Sequence, residues 1–338
     1  MSFPAMPPTG ASVAPATHAS AEPRLPMVLA AFASVYVIWG STYLAILWVI
    51  DSIPPLLMAA GRFLFAGALL YGWMRLRGAA KPTRVHWRAA AISGPLMLAG
   101  GNGAVVVAEQ WVPSGVAALL VASVPLWMVI LQPLFGPAAK PSRRVQVGLL
   151  VGFGGAALLG GAPSGGSGSH AVLGALLVLC GCASWAAGSL YVRSAPAPKS
   201  PLVLVSMQML TGGLVLGIMS LLFGEPFRFD PSGVSMRSVL ALVYLVIFGS
   251  LVAYSAYVWL LTVSTPARVG TYAYVNPVIA LLLGWALAGE AIGFRSALAA
   301  TVIVGSVVVI VSEAKSASER AGPRHPGGPP RPTPRDGG

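Results

Sequence analysis

Charged residues are scarce in this sequence, and acidic residues are the scarcest. Of the 338 residues only 9% are charged, and 9 Asp and Glu stand against 21 Lys and Arg, which gives a net charge of +12. Soluble domains carry about 25% charged residues. Together with 56% hydrophobic residues and a mean hydropathy of +0.78, this composition excludes a water-soluble globular domain and predicts an integral membrane protein.

Cysteine and histidine are also rare, which limits the possible chemistry. Cys180 and Cys182 lie two positions apart in one apolar run, so on a helix their side chains diverge and form neither a disulfide nor a metal pair. HExxH, paired-carboxylate and phosphate-loop motifs are absent. We therefore predict no cofactor and no metal, with a lipid-modifying membrane enzyme as an alternative. The four histidines all lie in predicted loops or tails: His18, His86, His170 and His325.

Long apolar runs, by contrast, recur along the chain. A helix needs roughly 20 apolar residues to cross a hydrocarbon core of about 30 Å. The flanking segments 1–26 and 313–338 are rich in Pro, Ala, Ser and Gly and predict disordered arms, the first without the features of a cleaved signal peptide. Ten segments between them predict an all-α membrane protein with ten transmembrane helices: 27–50, 54–75, 88–108, 114–135, 145–161, 171–192, 201–223, 238–262, 266–288 and 294–312.

The basic residues concentrate in alternate loops. The loop 75–88 carries five of them and the tail 313–338 carries five more. If the N-terminus is cytoplasmic, seventeen of the 21 Lys and Arg fall on the cytoplasmic side, as the positive-inside rule requires. We therefore expect a multi-pass protein of the inner or plasma membrane with both termini in the cytoplasm. Because these charges form no single soluble face, the expected partners are the lipid bilayer and a small-molecule substrate, and not nucleic acid.

The two halves of the sequence resemble each other at an offset of 146 residues. This offset carries Trp39 onto Trp185, each followed by Gly, Ser and Tyr at similar spacing, and it carries Arg62 onto Gln208. Matches at one constant offset indicate an internal repeat.

Two proline-containing segments extend this repeat. PSGVAALLVASVP (113–125) has a counterpart in TPARVGTYAYVNP (265–277), and each ends on an intramembrane proline. Because each half holds five helices, an odd number, the second half must enter the membrane from the opposite side. We predict two inverted five-helix repeats, 27–161 and 171–312, an arrangement typical of alternating-access carriers. A channel is the alternative, although the sequence has no filter-like motif or ring of charge.

Several stretches also carry a family resemblance: VIWGSTYLAI (37–46), PPLLMAAGRFLFAGALLYG (54–72), AEQWVPSGVAALLVASVPLW (108–127) and TYAYVNPVIALLLGWALAGE (271–290). Together with the glycine-rich last helix they resemble the EamA-type branch of the drug/metabolite transporter superfamily, and within it the YedA-type inner-membrane exporters, over roughly residues 28–313. The resemblance implies a ten-helix fold of two inverted repeats. It also implies a secondary exporter of small metabolites, such as amino acids or related compounds, or of drugs, without naming one substrate.

Arg62 is the most informative polar residue, because a charge near the bilayer centre costs about 2.5–3.5 kcal/mol. We predict that it binds a carboxylate-bearing or otherwise electron-rich substrate, or that it pairs with Glu109 to gate the outer mouth. A packing role in the second helix is the alternative. Glu109 and Glu290, near helix ends, are the candidates for coupling transport to protons. The alternative for these two acids is a solvated position at the membrane interface.

Polar residues in other apolar runs extend the predicted cavity. A proline removes a backbone hydrogen bond, and paired helix breaks in inverted halves commonly expose carbonyl groups to substrate. Pro125 and Pro277 therefore predict breaks in the fourth and ninth helices, which we expect to line the cavity, with kinks that serve packing alone as the alternative. The polar candidates are Asn102 in the third helix, Ser123 in the fourth, and Tyr272 and Asn276 in the ninth.

Aromatic residues at mid-membrane positions complete the predicted site. Tyr36, Trp39 and Tyr43 recur at i, i+3 and i+7 and so share one face of the first helix. Such a wall accepts apolar substrates, or cations through cation–π contacts, and ordinary helix packing is the alternative. Further candidates lie on the sixth, seventh and eighth helices: Trp185, Gln208, Tyr254 and Tyr257.

Two small-xxx-small motifs indicate close helix contacts. They are GLLVG (148–152) and GLVLG (213–217). Such motifs let helix backbones approach closely, either within the chain, which we expect, or across the interface of a homodimer.

Overall fold

The structure is a computed structural model, and all regular secondary structure in the residues it describes is helical. These residues are 25–135, 142–160 and 169–264 and, towards the C-terminal end, 269, 272–289, 291–295, 297–302, 304–306 and 308–309. The two predicted arms lie outside the described residues, except that the first helix already begins at Leu25.

We number the main helices in chain order. They are α1 (Leu25–Ile50), α2 (Pro55–Leu76), α3 (Arg84–Ala108), α4 (Ser114–Phe135), α5 (Arg143–Gly160), α6 (Ser169–Ser194), α7 (Pro201–Leu222), α8 (Met236–Leu261), α9 (Tyr272–Ala288) and α10 (Ala297–Ser306).

Seven helices in the described part of the chain are long and apolar enough to cross a membrane. They are α1 to α4 and α6 to α8, with 22 to 26 residues each, which confirms the all-α membrane class. The remaining helices α5, α9 and α10 coincide with the predicted segments 145–161, 266–288 and 294–312. Among the described residues they do not form long apolar spans, so their crossing of the membrane stays a prediction.

Three of these helices contain a feature near their middle that departs from a regular α-helix. α3 contains a π-helical segment, Pro95–Asn102, and α8 contains another, Leu245–Tyr254. π-Helical turns are rare and recur at functional sites. α4 breaks at residues 122–123, before Pro125, which confirms that predicted break. The predicted break in α9 is wrong, because the helix continues through Pro277. Membrane helices tolerate proline because neighbouring groups can satisfy the freed backbone atoms.

α2 and α7 form the most extensive helix contact in the described structure. Glycines allow their backbones to approach. A Cβ atom added at Gly67 would lie 3.0 Å from the backbone nitrogen of Leu210, and one at Gly213 would lie 3.0 Å from that of Leu64. Gly213 begins the predicted GLVLG motif, which therefore packs within the chain.

Glu225 ties the loop after α7 to the start of α2. The first turn of α2 has no capping side chain of its own. Its amides donate instead to the Glu225 carboxylate, Leu56 N to Oε1 at 3.2 Å and Leu57 N to Oε2 at 2.7 Å. The Ser220 hydroxyl donates to Oε2 at 2.8 Å. The carboxylate thus satisfies free amides at the positive end of the helix dipole.

We expect Glu225→Ala to lower the thermal stability of the purified protein in detergent. The variant removes the acceptor of two helix amides, and hydrogen bonds to charged groups contribute about 1.5–3 kcal/mol each. Thermal unfolding scans of wild type and variant measure the shift. The matched control is Asp230→Ala, because the Asp230 carboxylate, in the same loop, accepts from nearby Ser232. Equal shifts in the two variants would contradict the capping role.

Candidate functional site

A central cavity lies among the middles of α1, α2, α3, α4, α6, α8 and α9. Its empty volume is about 710 Å³, open space at its mouth included, which falls within the roughly 300–1,000 Å³ typical of small-molecule sites. Eight of the twelve residues predicted from the sequence line it: Trp39, Tyr43, Arg62, Asn102, Trp185, Tyr254, Tyr272 and Asn276.

The other four predicted cavity residues, Tyr36, Ser123, Gln208 and Tyr257, are not part of its lining. Ser123 is buried in α4 at the helix break, between two valines that do line the cavity. Tyr36 contributes its backbone. The amide nitrogen of the Asn276 side chain donates to the carbonyl oxygen of Tyr36 at 3.1 Å and to that of Tyr272 at 3.2 Å. This orientation of the amide satisfies both carbonyl oxygens. Asn276 therefore joins α9 to α1 beside Pro277.

Five aromatic side chains form a cluster around Trp39, and we call them the aromatic cluster: Trp39, Trp185, Tyr254, Tyr257 and Tyr272. The Trp39 ring centroid lies 4.9 Å from that of Tyr257, 5.3 Å from that of Tyr272 and 5.8 Å from that of Trp185. These separations lie in the favourable range for aromatic pairs. Contacts from three other helices therefore hold the indole of Trp39 in place.

A second, smaller cavity adjoins the aromatic cluster. Its empty volume is about 390 Å³, and Arg193 near the end of α6 is part of its wall, together with Ser189 and Tyr257. Tyr272 and Val124 line both cavities. These two side chains therefore belong to the partition between the two spaces.

Arg62 reaches the central cavity from α2 as a buried cation. Its side chain is 4% exposed, and its Nε donates to the Ser250 hydroxyl at 2.8 Å. Among the described residues, Nη1 has no hydrogen-bond partner and no carboxylate forms an ion pair with this guanidinium. Arg62 and Glu109 are thus not paired in this conformation, and a gate built on that pair stays a prediction. A free donor on a buried cation is suited to an anionic ligand.

Gly249 provides the space for this guanidinium. A Cβ atom added there would lie 2.8 Å from Nη2 of Arg62. Gly249 and Ser250 both belong to the π-helical segment of α8, and the Gly249 carbonyl accepts a hydrogen bond from Trp39 Nε1 at 3.3 Å. The irregular segment therefore supplies the room for the charge, its hydroxyl partner and an acceptor for the central indole.

Asn102 presents an acceptor to the same cavity. It is the last residue of the π-helical segment of α3, and its Oδ1 is buried without a hydrogen-bond partner among the described residues. Buried polar atoms are normally paired. An amide oxygen left open in a cavity wall is therefore suited to an N–H group of a ligand.

Gln208 acts behind the wall and positions Tyr254. The Tyr254 hydroxyl donates to Gln208 Oε1 at 2.9 Å, and Gln208 Nε2 donates to the Ser93 hydroxyl at 2.9 Å. Ser93 in turn donates to the carbonyl of Ala89 at 2.9 Å. This chain of hydrogen bonds crosses from α8 through α7 to α3, and it fixes the hydroxyl of a cavity residue.

The two acids predicted as coupling residues differ in what the structure describes. Glu109 follows α3 and is 4% exposed, so the alternative of a solvated interface residue is wrong for it, because neighbouring helices cover its side chain. Its backbone amide donates at 3.0 Å to the carbonyl of Val105, which lines the central cavity. Glu290 lies outside the described residues, and its role stays a prediction.

Sequence reasoning missed two residues that shape the site, Gly249 and Ser250. They form a small-polar pair inside the apolar run VIFGSLVAY. The same signal, Gly40-Ser41, drew attention to α1, where a Cβ atom at Gly40 would lie 2.7 Å from Ile279 Cβ. A Gly-Ser pair within an apolar run is therefore the sequence signal that marks Ser250, the partner of Arg62.

The chain belongs to the EamA-like transporter family, whose model matches residues 25–161 and again residues 172–312. The chain is therefore a member of a transporter family, and the predicted family resemblance is confirmed.

The chain is also similar to individual proteins. The chain is 44% identical over 287 residues to the uncharacterized inner membrane transporter YedA of Escherichia coli K12, covering 85% of this chain and 90% of that one. It is 27% identical to Protein PecM of Dickeya dadantii over 286 residues, covering 84% and 91%. One crystal structure superposes with a TM-score of 0.61 at 22% identity, covering 87% of this chain and all of the other, which shows a shared fold.

Proposed function

We propose that this protein is a secondary-active carrier that exports small metabolites, amino acids or related compounds, or drugs by alternating access. The observation that carries the proposal is the central cavity. Helices from both predicted halves enclose it, aromatic rings line it, and it holds the buried cation Arg62. A charge inside a membrane-spanning bundle commonly marks the path of a substrate or ion.

Matched features in the two halves support an inverted repeat with ten membrane-spanning helices. Arg62 on the second helix of the first half bonds to Ser250 on the third helix of the second half. Gln208 on the second helix of the second half bonds to Ser93 on the third helix of the first half. Both third helices contain a π-helical segment, and the family model matches each half separately.

The two adjoining cavities support alternating access. Tyr272 and Val124 contribute to the walls of both, and Tyr257 lines the smaller cavity while it packs on Trp39. We propose that the aromatic cluster is the inner gate, on the side of Arg193, and that both termini are cytoplasmic. In this scheme the closed cluster holds substrate in the central cavity until the smaller cavity opens.

The open polar atoms define a substrate class. Arg62 Nη1 is a free cationic donor and Asn102 Oδ1 is a free acceptor among the described residues, and both residues line one cavity with four of the five residues of the aromatic cluster. A complementary molecule carries a carboxylate, an N–H donor and an apolar or aromatic part, as an amino acid does. Glu109, buried one helical turn after the cavity residue Val105, is the proposed proton-coupling group, with Glu290 as the second candidate.

Uptake into proteoliposomes tests this function. The purified protein is reconstituted and offered labelled amino acids, nucleobases, polyamines and cationic dyes, with and without an imposed pH gradient, and protein-free liposomes are the control. We expect saturable uptake of amino acids that increases with the gradient. Uptake that does not saturate would instead indicate a channel, and no uptake of any compound by folded protein would contradict the carrier function.

A further inference from the structure

A second opening reaches Arg62 from the outer surface of the helix bundle. This opening, the α2–α8 groove, lies between α2 and α8 and has an empty volume of about 740 Å³, open space included. Phe65, Val243 and Ile247 in its walls are 63%, 48% and 44% exposed. On a membrane-spanning bundle, apolar side chains exposed in this way face lipid. The groove is therefore open to the bilayer, whereas the central cavity lies inside the bundle.

Among the described residues that line the α2–α8 groove, Arg62 is the one polar residue. The others are Gly61 and apolar residues. The same arginine lines the central cavity. Its side chain is 4% exposed, and Nη1 lacks a hydrogen-bond partner among the described residues. A buried charged donor without a partner is costly. An anionic group held there would relieve that cost, and the apolar walls beside it would accept a hydrocarbon chain.

The depth of Arg62 selects the kind of anionic ligand. It lies seven residues after Pro55, where α2 begins, and so about 10 Å along the helix from that end. The phosphate of a two-chain phospholipid stays at the membrane interface, nearer the membrane surface than Arg62. To reach Arg62, the phosphate would have to take its glycerol and both chains deeper into the bilayer. A carboxylate on a single chain carries only one small polar group to that depth.

We propose that the α2–α8 groove is a binding site for a single-chain carboxylic acid of the bilayer. The carboxylate accepts from Arg62, and the chain lies along Phe65, Val246 and Ile247. Because Arg62 also faces the central cavity, such an acid competes there with a carboxylate-bearing ligand. Binding in the groove does not depend on the proposed transport function.

Photolabelling with a matched pair of probes tests the groove. A diazirine-bearing fatty acid and the fatty alcohol of the same chain length are each added to the purified protein in lipid nanodiscs. Labelled peptides are then mapped by mass spectrometry. We expect the acid to label residues 242–247 of α8 about tenfold more than the alcohol, as loss of one charge-assisted hydrogen bond predicts. Arg62→Gln should abolish this preference.

Two glycine variants on one helix separate the groove from general lipid contact. A Cβ atom added at Gly61 or at Gly72 meets no atom within 4 Å, so the first atom of a larger side chain has room at both positions. Gly61 lines the groove, and Gly61→Leu should therefore abolish labelling of α8, whereas Gly72→Leu should label as wild type does.

Equal labelling by acid and alcohol, or labelling that survives Gly61→Leu, would overturn the proposal and make the groove ordinary lipid-facing surface. If Gly61→Leu fails to fold, the proposal is tested by the other comparison, which is labelling by the acid and by the alcohol in wild type and in Arg62→Gln. The readout is binding and requires no transport. Failure here is thus distinguishable from failure of the carrier function.

Discussion

Proteoliposomes that contain the Arg62→Ala variant are expected to lose transport of carboxylate-bearing substrates while the protein remains in the membrane. Arg62 is buried, faces the central cavity and keeps a free donor at Nη1. A hydrogen bond to a charged group contributes about 1.5–3 kcal/mol, which corresponds to about 10- to 150-fold in affinity. The initial rate of uptake at subsaturating substrate measures this loss.

Two further variants show whether position as well as charge matters. Arg77→Ala removes an exposed guanidinium that stacks 4.5 Å from the ring centroid of Trp73 at the end of α2, and it should transport as wild type does. Gly249→Ala keeps the charge but places a methyl group 2.8 Å from Arg62 Nη2, so it should reduce transport to an intermediate rate. If Arg62→Ala transports as wild type does, Arg62 has only a structural role in the second helix.

The largest loss of stability is expected from Gly94→Ala. A Cβ atom at Gly94 would lie 2.5 Å from the backbone oxygen of Gln208 and still closer to the Thr211 hydroxyl. Overpacking costs about 1–3 kcal/mol and sometimes more. Because a backbone atom of α7 must move here, we expect a loss at the upper end of that range. Thermal unfolding in detergent, followed by size-exclusion chromatography of heated samples, measures it.

The control for this prediction is Gly72→Ala. That glycine has open space where the Cβ atom would lie, and replacing glycine by alanine within a helix stabilises by about 0.5–1 kcal/mol. The two substitutions are chemically identical, so opposite shifts in unfolding temperature would isolate the α3–α7 contact. A Gly94→Ala variant as stable as wild type would show that these helices separate without cost.

The helical membrane class was predictable from the sequence because membrane insertion depends on the length of each apolar run, which is a local property. The same argument identified Arg62 as a candidate, because a charge inside such a run is costly. Tyr43, Trp185 and Asn276 were predictable as cavity residues because they interrupt apolar runs with polar or aromatic groups at mid-membrane positions.

The partners of these residues were not predictable, because they depend on how helices distant in sequence rotate against each other. Arg62 and Ser250 are 188 residues apart, and Leu57 and Glu225 are 168 residues apart. Nothing local in the sequence fixes which face of α8 meets α2. The burial of Glu109 was missed for the same reason, since neighbouring helices cover it after they pack.

The π-helical segments in α3 and α8 have a consequence for how these helices move. A π-helical hydrogen bond spans one residue more than an α-helical one, so conversion of such a segment to α-helix shifts everything on one side of it by one position. One position equals a rotation of about 100° and a rise of about 1.5 Å. In α8 this rotation would turn Ser250 away from Arg62, and in α3 it would turn Asn102 relative to Ser93. Such a conversion would redirect the polar side chains of α3 and α8 by exchanging backbone hydrogen bonds, while each helix stays continuous.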